Sequence, residues 1–220
     1  MTFGAIRVFE SLAFSPAWRN PVQTGVKRLF DLLGAVVLLA SLSPLLVLLA
    51  FVVKLSSTGP VFYRWRVVGQ WGRPFVGYKF RSMVTNADEM KERLLPLNEM
   101  QGPVFKITND PRLTKLGAWM RKYSLDELPQ LFSVLKGDMS LVGPRPPLQT
   151  EYAQFNDFQK QKLAIKPGIT CLWQVSGRNE IVSFDDWVKL DLEYIRTWSL
   201  WLDFKILLKT VAVVVVGSGK

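Results

Sequence analysis

The sequence predicts a mostly α-helical protein with one small β-hairpin and an apolar, membrane-seeking helix near its N-terminus. Three observations carry that prediction. Leu29 to Val53 is an apolar run of 25 residues whose only charge is Asp31. A stretch of alternating bulky and basic residues around Gly69, Gly72 and Gly77 follows. Beyond it, apolar residues recur at helical spacing almost to the C-terminus. A chain of 220 residues holds one sizeable core. The expected division is therefore a lead-in over 1–26, a membrane helix over 27–54 and one body over 55–220.

Taken in order, residues 1–26 show weak periodicity broken by Pro16 and Pro21, the pattern of a short interfacial or poorly ordered lead-in. At about 1.5 Å per residue, the apolar run is long enough to cross a bilayer core of roughly 30 Å. Ser43-Pro44 sits near its middle, where proline removes a helix hydrogen bond and kinks or breaks the helix. Both flanks are basic: Arg19, Lys27 and Arg28 before, then Lys54, Arg64, Arg66, Arg73, Lys79 and Arg81 after. Positive flanks on both sides favour both ends on the cytoplasmic face. The residues leave two arrangements open, a kinked span and a re-entrant helix that turns at Ser43-Pro44 and returns.

"GPVFYRWRVVGQWGRPFVGYKFRSM" then reads as the β-hairpin, presenting Arg64, Arg66, Lys79 and Arg81 near the membrane surface. "NADEMKERLLPLNEM" is an amphipathic helix, and Asn109-Asp110-Pro111 a turn before a short helix. A further helix runs from Ser124 to about Lys136, stopped by Gly137. Leu148 to Lys162 is expected to be helical, "KPGITCLWQVSGRNE" irregular, and "SFDDWVKLDLEYIRTW" helical again. The tail mixes Trp198, Trp201, Phe204, Leu207 and Leu208 with Asp203, Lys205 and Lys209, which suits an interfacial amphipathic helix.

Composition narrows the chemistry. With no histidine and the single Cys171, a His-based triad, a zinc site and an internal disulfide are excluded. A net charge of +10 calls for an anionic partner: a phosphorylated ligand, an anionic membrane surface or nucleic acid. Nucleic acid is the poorest fit, because so many of the basic residues flank the apolar run rather than forming one polar face.

The motif of interest is Ser124-Leu125-Asp126-Glu127. By itself it reads as a capping box, with Ser124 at the N-cap and Glu127 three residues on. A helix N-terminus also favours an ionised Asp126 and a phosphate, so the same residues read as a nucleophile beside a phosphorylated substrate. Cations to neutralise that phosphate are available in Arg121, Arg145, Lys79, Arg81 and Arg178. Pro144, Pro146 and Pro147 stiffen the backbone around Arg145, whose guanidinium grips phosphate bidentately. A rigid turn with a solvated charge reads equally well there. Lys79 and Arg81 fit a solvated strand edge near lipid, and Asp138 a turn former or a metal ligand.

"KRLFD", the Ser-Pro-broken apolar segment, "GYKFRSM", "PVFKITNDPRLTKLGAWMRKYSLDELPQLFSVLKGDMSLVGPRPP", "KPGITCLWQVSGRN" and "DLEYIRTWSLWLDFKILLKT" together resemble the bacterial sugar transferase family. These are monotopic polyprenyl-phosphate phosphoglycosyl transferases that begin capsule, exopolysaccharide, O-antigen or glycoprotein glycan assembly. The resemblance covers roughly residues 26–217 and is to the compact form, without the several transmembrane helices that precede it in long members. It implies a monotopic protein with a re-entrant helix, at the bacterial inner membrane, whose catalytic domain faces the cytoplasm. It further implies Asp126 as nucleophile with Glu127 as partner, Mg²⁺ held by both, and substrate contacts from Lys79, Arg121 and Arg145, with Arg178 and Arg81 as further candidates. The implied substrates are a UDP-sugar, with a hexose preferred, and undecaprenyl phosphate. Anionic lipids and downstream glycosyltransferases are the implied partners, and a catalytically inactive membrane-surface scaffold is the rival.

Overall fold

The computed structural model describes residues 14–177 and 180–217. A short helix, α1 (Pro16–Arg19), leads directly into α2 (Pro21–Ser56), 36 residues long and begun by Asn20, whose side chain accepts from the Val22 and Gln23 amides. The described part of the lead-in is docked. Ser15 donates to the Trp198 carbonyl at 2.9 Å, and the Trp18 ring stacks on Trp198 at 3.9 Å.

Helix α2 stays helical through Ser43-Pro44 instead of splitting into two helices there. The reason is local. Pro44 has no N–H for the Ala40 carbonyl, and the Ser43 hydroxyl donates to that same oxygen at 2.8 Å. Lys27, Asp31, Ala35, Leu49 and Val53 are buried at helical spacing on one face. The other face exposes Leu29, Leu33, Val36, Val37, Val47, Leu48 and Phe51. Only 11% of the most apolar window is buried, whereas the core helix of a soluble domain would be mostly covered. An uncovered apolar face of this length suggests membrane association.

The hairpin forms as expected. β1 (Phe62–Val68) pairs antiparallel with β2 (Pro74–Phe80), with Trp65 opposite Gly77 and Tyr63 opposite Lys79. After helix α3 (Ala87–Leu94), α4 (Lys115–Lys122) starts at Thr114, whose hydroxyl accepts the Gly117 amide at 2.9 Å. The helix expected from Ser124 is a 3-10 turn, Leu125–Gln130, followed by a six-residue α5 (Leu131–Lys136). Gly137, at φ 92°, ends it as expected.

A second sheet has no counterpart among the sequence signals. β3 (Ser140–Val142) and β4 (Gly168–Thr170), the latter inside the stretch that reads as irregular, form a short parallel pair. Their backbones meet at Gly143 and Gly168, where a Cβ on Gly168 would stand 2.1 Å from the Gly143 nitrogen. The helix expected over Leu148 to Lys162 is two single turns, α6 (Gln149–Tyr152) and α7 (Asp157–Lys160). Asn156 separates them because its side chain caps α7, accepting from the Gln159 amide. α8 (Phe184–Thr197) and α9 (Leu200–Val216) complete the fold, and α9 exposes Trp201, Phe204, Leu208 and Val211.

The main core gathers α5, β3, α8 and α9 around Leu141, Leu192, Ile195 and Trp198, and Ala35 of α2 joins it. A smaller cluster of Leu49, Val53, Phe80 and Met120 lies under the other half of α2. The basic residues flanking the apolar run are structural as well as charged. Arg28 donates to the Val134 and Leu135 carbonyls at the end of α5, and Lys27 pairs with Asp203 at 2.8 Å.

Candidate active site

Asp126 and Glu127 lie in the 3-10 turn and are buried, at 6% and 8% exposure. The capping box does not form: Ser124 adopts a left-handed conformation, φ 53°, and makes no side-chain cap. A non-glycine residue in that region costs about 1–2 kcal/mol. The strain sits two residues before Asp126, and such distortion is often found at functional sites. Pro129, which has no N–H to give, sits inside the turn, so regular α-helix begins only at Leu131.

Three separate elements converge on this turn. From β2, Lys79 Nζ pairs with Glu127 Oε1 at 2.7 Å. From the proline-rich loop after β3, Arg145 Nη1 reaches the same oxygen at 3.2 Å. From β1, the indole of Trp65 lies under both cations, 3.8 Å from Lys79 Nζ and 5.7 Å from Arg145 Cζ. Burial pushes the Lys79 ammonium below the usual lysine value, with Glu127 acting the other way and Arg145 adding repulsion. Burial also works against the Arg145 charge, but Glu127 and the other acidic groups around it together raise the guanidinium.

The turn opens on a cavity of about 1210 Å³ lined by ten basic and five acidic residues. That excess of positive charge around two carboxylates favours a polyanionic ligand. Lys79, Arg121 and Arg145 all line it, with Arg121 Nε donating to Ser82 Oγ at 3.1 Å. Arg81 also touches the cavity, but its guanidinium is committed to the C-terminal end of α2. It donates to the Val53 carbonyl at 3.0 Å, to the Ser57 carbonyl at 2.7 Å and to the Pro60 carbonyl. Arg81 is thus the cap of the apolar helix. Arg178 lies outside the described residues. Asp138, on the turn after α5, is not among the cavity-lining residues, and its charge acts on Lys166.

Among the described residues no group of three or more carboxylate, cysteine or histidine side chains could enclose a metal. Two adjacent carboxylates in an oxygen-only site nonetheless fit Mg²⁺, which typically takes one or two carboxylates and completes its shell with water and substrate phosphates. Sequence reasoning misses Trp65, which reads only as a strand residue. It also misses the buried pair of Lys162 and Asp191, 2.7 Å apart, whose lysine lines the cavity. No signal in the sequence joins Lys162 to Asp191, because the two are brought together only by packing.

A turn-borne carboxylate pair under converging cations, beside an uncovered apolar helix, agrees with what the chain is similar to. It is 49% identical over 193 residues to the galactosyl transferase CpsE of Streptococcus agalactiae, covering 88% of this chain and 43% of that protein. It is 46% identical to the undecaprenyl-phosphate galactose phosphotransferase of Salmonella typhimurium, over 88% of this chain and 41% of the relative. The chain thus spans about two fifths of the length of those two proteins. It is 42% identical to the exopolysaccharide production protein ExoY of Rhizobium meliloti, over 91% of this chain and 90% of that one. The family model for bacterial sugar transferases matches residues 22–217, which include most of α2, the hairpin and every element of the site. By that match and those identities, the chain belongs to the bacterial sugar transferase family.

Proposed function

We propose that this transferase moves a sugar-1-phosphate from a UDP-sugar to undecaprenyl phosphate, releasing UMP, as the first step of exopolysaccharide or capsule assembly. A carboxylate oxygen of Asp126 attacks the β-phosphorus of the donor. The bond from that phosphorus to the bridging oxygen breaks, UMP departs with the electron pair, and the phosphosugar remains on Asp126 as an acyl phosphate. A phosphate oxygen of undecaprenyl phosphate then attacks the same phosphorus. The acyl-phosphate bond breaks, the Asp126 carboxylate is restored, and undecaprenyl-diphospho-sugar leaves.

The observation that carries this reading is the buried Asp126-Glu127 pair at a cavity whose cations converge on it. Phosphoryl transfer depends on positioning and on neutralising phosphate charge more than on bond-making groups. Lys79 and Arg145 are placed to hold the donor's diphosphate, with Arg121 nearby. Mg²⁺, held by Asp126 and Glu127, would supply further neutralisation of the phosphates. Galactose in the names of two of the relatives favours a hexose donor.

The apolar face of α2 enters the cytoplasmic leaflet of the inner membrane as a re-entrant helix that bends at Pro44 while remaining helical, and α9 lies in the interface. Basic residues at both ends of α2 and the net charge of +10 favour the anionic leaflet. The site then sits where a soluble nucleotide sugar meets a lipid phosphate. Downstream glycosyltransferases are the natural consumers of the product.

The test is the intact mass of detergent-solubilised protein after mixing with Mg²⁺ and a panel of UDP-sugars, with the lipid acceptor omitted. A phosphosugar-sized gain with release of UMP in wild type, absent in Asp126→Asn, is expected. No adduct and no UMP from any donor would leave a membrane-surface scaffold as the better account.

A further inference from the structure

Trp65 has no part in the chemistry described so far, yet its position is specific. Buried residues on β1 begin at Trp65, which is 6% exposed. Its register partner on β2 is Gly77, and a Cβ there would lie 3.4 Å from Trp65 Cε3. With no side chain at residue 77, the indole lies across β2 toward residue 79, which projects from the same face two residues on. Lys79 Nζ therefore stands 3.8 Å above the ring centroid, and Arg145 Cζ is 5.7 Å from the same centroid. Both cations also bind one oxygen of Glu127, at 2.7 and 3.2 Å.

We infer that Trp65 is a positioning residue for the donor's diphosphate, its ring face holding Lys79 and Arg145 together when phosphate oxygens compete with Glu127 for them. Two like charges side by side repel, and Glu127 bridges them only while its Oε1 stays in place. An incoming diphosphate competes for those same donors. The indole does not leave: its negative face attracts both cations, and the attraction is stronger where the cation is desolvated, as at Lys79, whose side chain is 12% exposed. Trp65 thereby keeps an ammonium and a guanidinium preset for a bidentate phosphate grip.

This inference rests on the donor-site reading above, and UDP binding without turnover separates the two. The full chain in detergent, carrying tryptophan, monofluoro-, difluoro- and tetrafluorotryptophan at position 65, is titrated with UDP. Fluorination drains the negative ring face and leaves shape and burial nearly unchanged. A stepwise rise in Kd, on the order of 10-fold across the series, is expected. A flat series with ordinary UDP binding would overturn the role of Trp65 alone. No binding of UDP by the wild-type chain would overturn the donor site and this inference with it. In turnover, Trp65→Phe should keep the donor KM within about 3-fold of wild type while Trp65→Leu raises it about 10-fold. Equal values for both would mark the ring as packing only and refute the inference.

Discussion

Lys27→Met is expected to lower the apparent melting temperature of the detergent-solubilised protein by about 10 °C. Lys27 is 5% exposed and serves as the cation of a buried cluster that ties α2 to β3 and α9. Its ammonium lies 2.8 Å from Asp203 and 3.2 Å from Asp31, and it donates to Ser140 Oγ at 2.6 Å. Methionine replaces most of the volume, so little packing is lost. What remains is a pair of carboxylates, 0% and 2% exposed, without their cation. Each keeps neutral donors, Asp203 from Tyr194 and Trp198, Asp31 from Ser140 and the Leu141 amide. Removing one partner from a buried pair costs about 3–5 kcal/mol. At roughly 2–4 °C per kcal/mol for a chain of this size, the loss is ~6–20 °C. Scanning fluorimetry at fixed detergent and protein concentration reads it. The double variant Lys27→Met/Asp203→Asn should recover part of the loss, since it removes an anion along with the cation. A single-variant loss under about 3 °C, or strictly additive effects, would refute the reasoning.

Two further predictions concern protonation and access. Burial opposes the Asp110 charge, but hydrogen bonds and the charge of Arg112 outweigh it and hold the carboxyl below its usual 3.8. The pair should therefore contribute about 1 kcal/mol or less, fully present above about pH 4 and lost as pH falls through the lower folded value. Melting of wild type and Asp110→Asn from about pH 7 to about pH 3 should converge at the acid end, and a gap that widens there contradicts the assignment. Burial pushes the Cys171 thiol upward, with Asp191 adding to it. The folded protein should take up maleimide at least about 100-fold more slowly than the same protein in denaturant, because the thiolate is both rare and covered. Comparable rates would contradict the burial.

Elements with strong local signals are legible in the amino-acid sequence itself. The hairpin announces itself by alternation and glycine, and Gly137 ends α5 where a left-handed residue is needed. Thr114 and Ser183 cap their helices where hydroxyls precede apolar patterns. Local patterns mislead where a distant contact decides. Ser124-x-x-Glu127 has the letters of a capping box, but Glu127 is claimed by Lys79 and Arg145, 48 and 18 residues away, and the backbone at Ser124 turns left-handed. The β3–β4 pair depends on two glycines meeting backbone to backbone, and three-residue strands have no periodicity to read. At the site, Lys79, Arg121, Arg145 and the two carboxylates can be named from charge near a phosphate-suited motif. Arg81 can be named as a cation but not as a helix cap, since the carbonyls it holds at Pro60 and Val53 lie 21 to 28 residues earlier.

That cap has a mechanical consequence. Arg81, the residue just past the end of β2, grips the last turn of α2, and Lys79, two residues back on the strand, grips Glu127. Two residues of extended chain cover roughly 7 Å. Asp126 and Glu127 are thereby geared to the end of the apolar helix through one short, stiff rod, and under the proposed function they ride at a set height above the plane where that helix would leave the lipid. If the proposed lipid acceptor is the substrate, its phosphate has to arrive at that height, and depth in the bilayer becomes a selector of substrate alongside chemical structure.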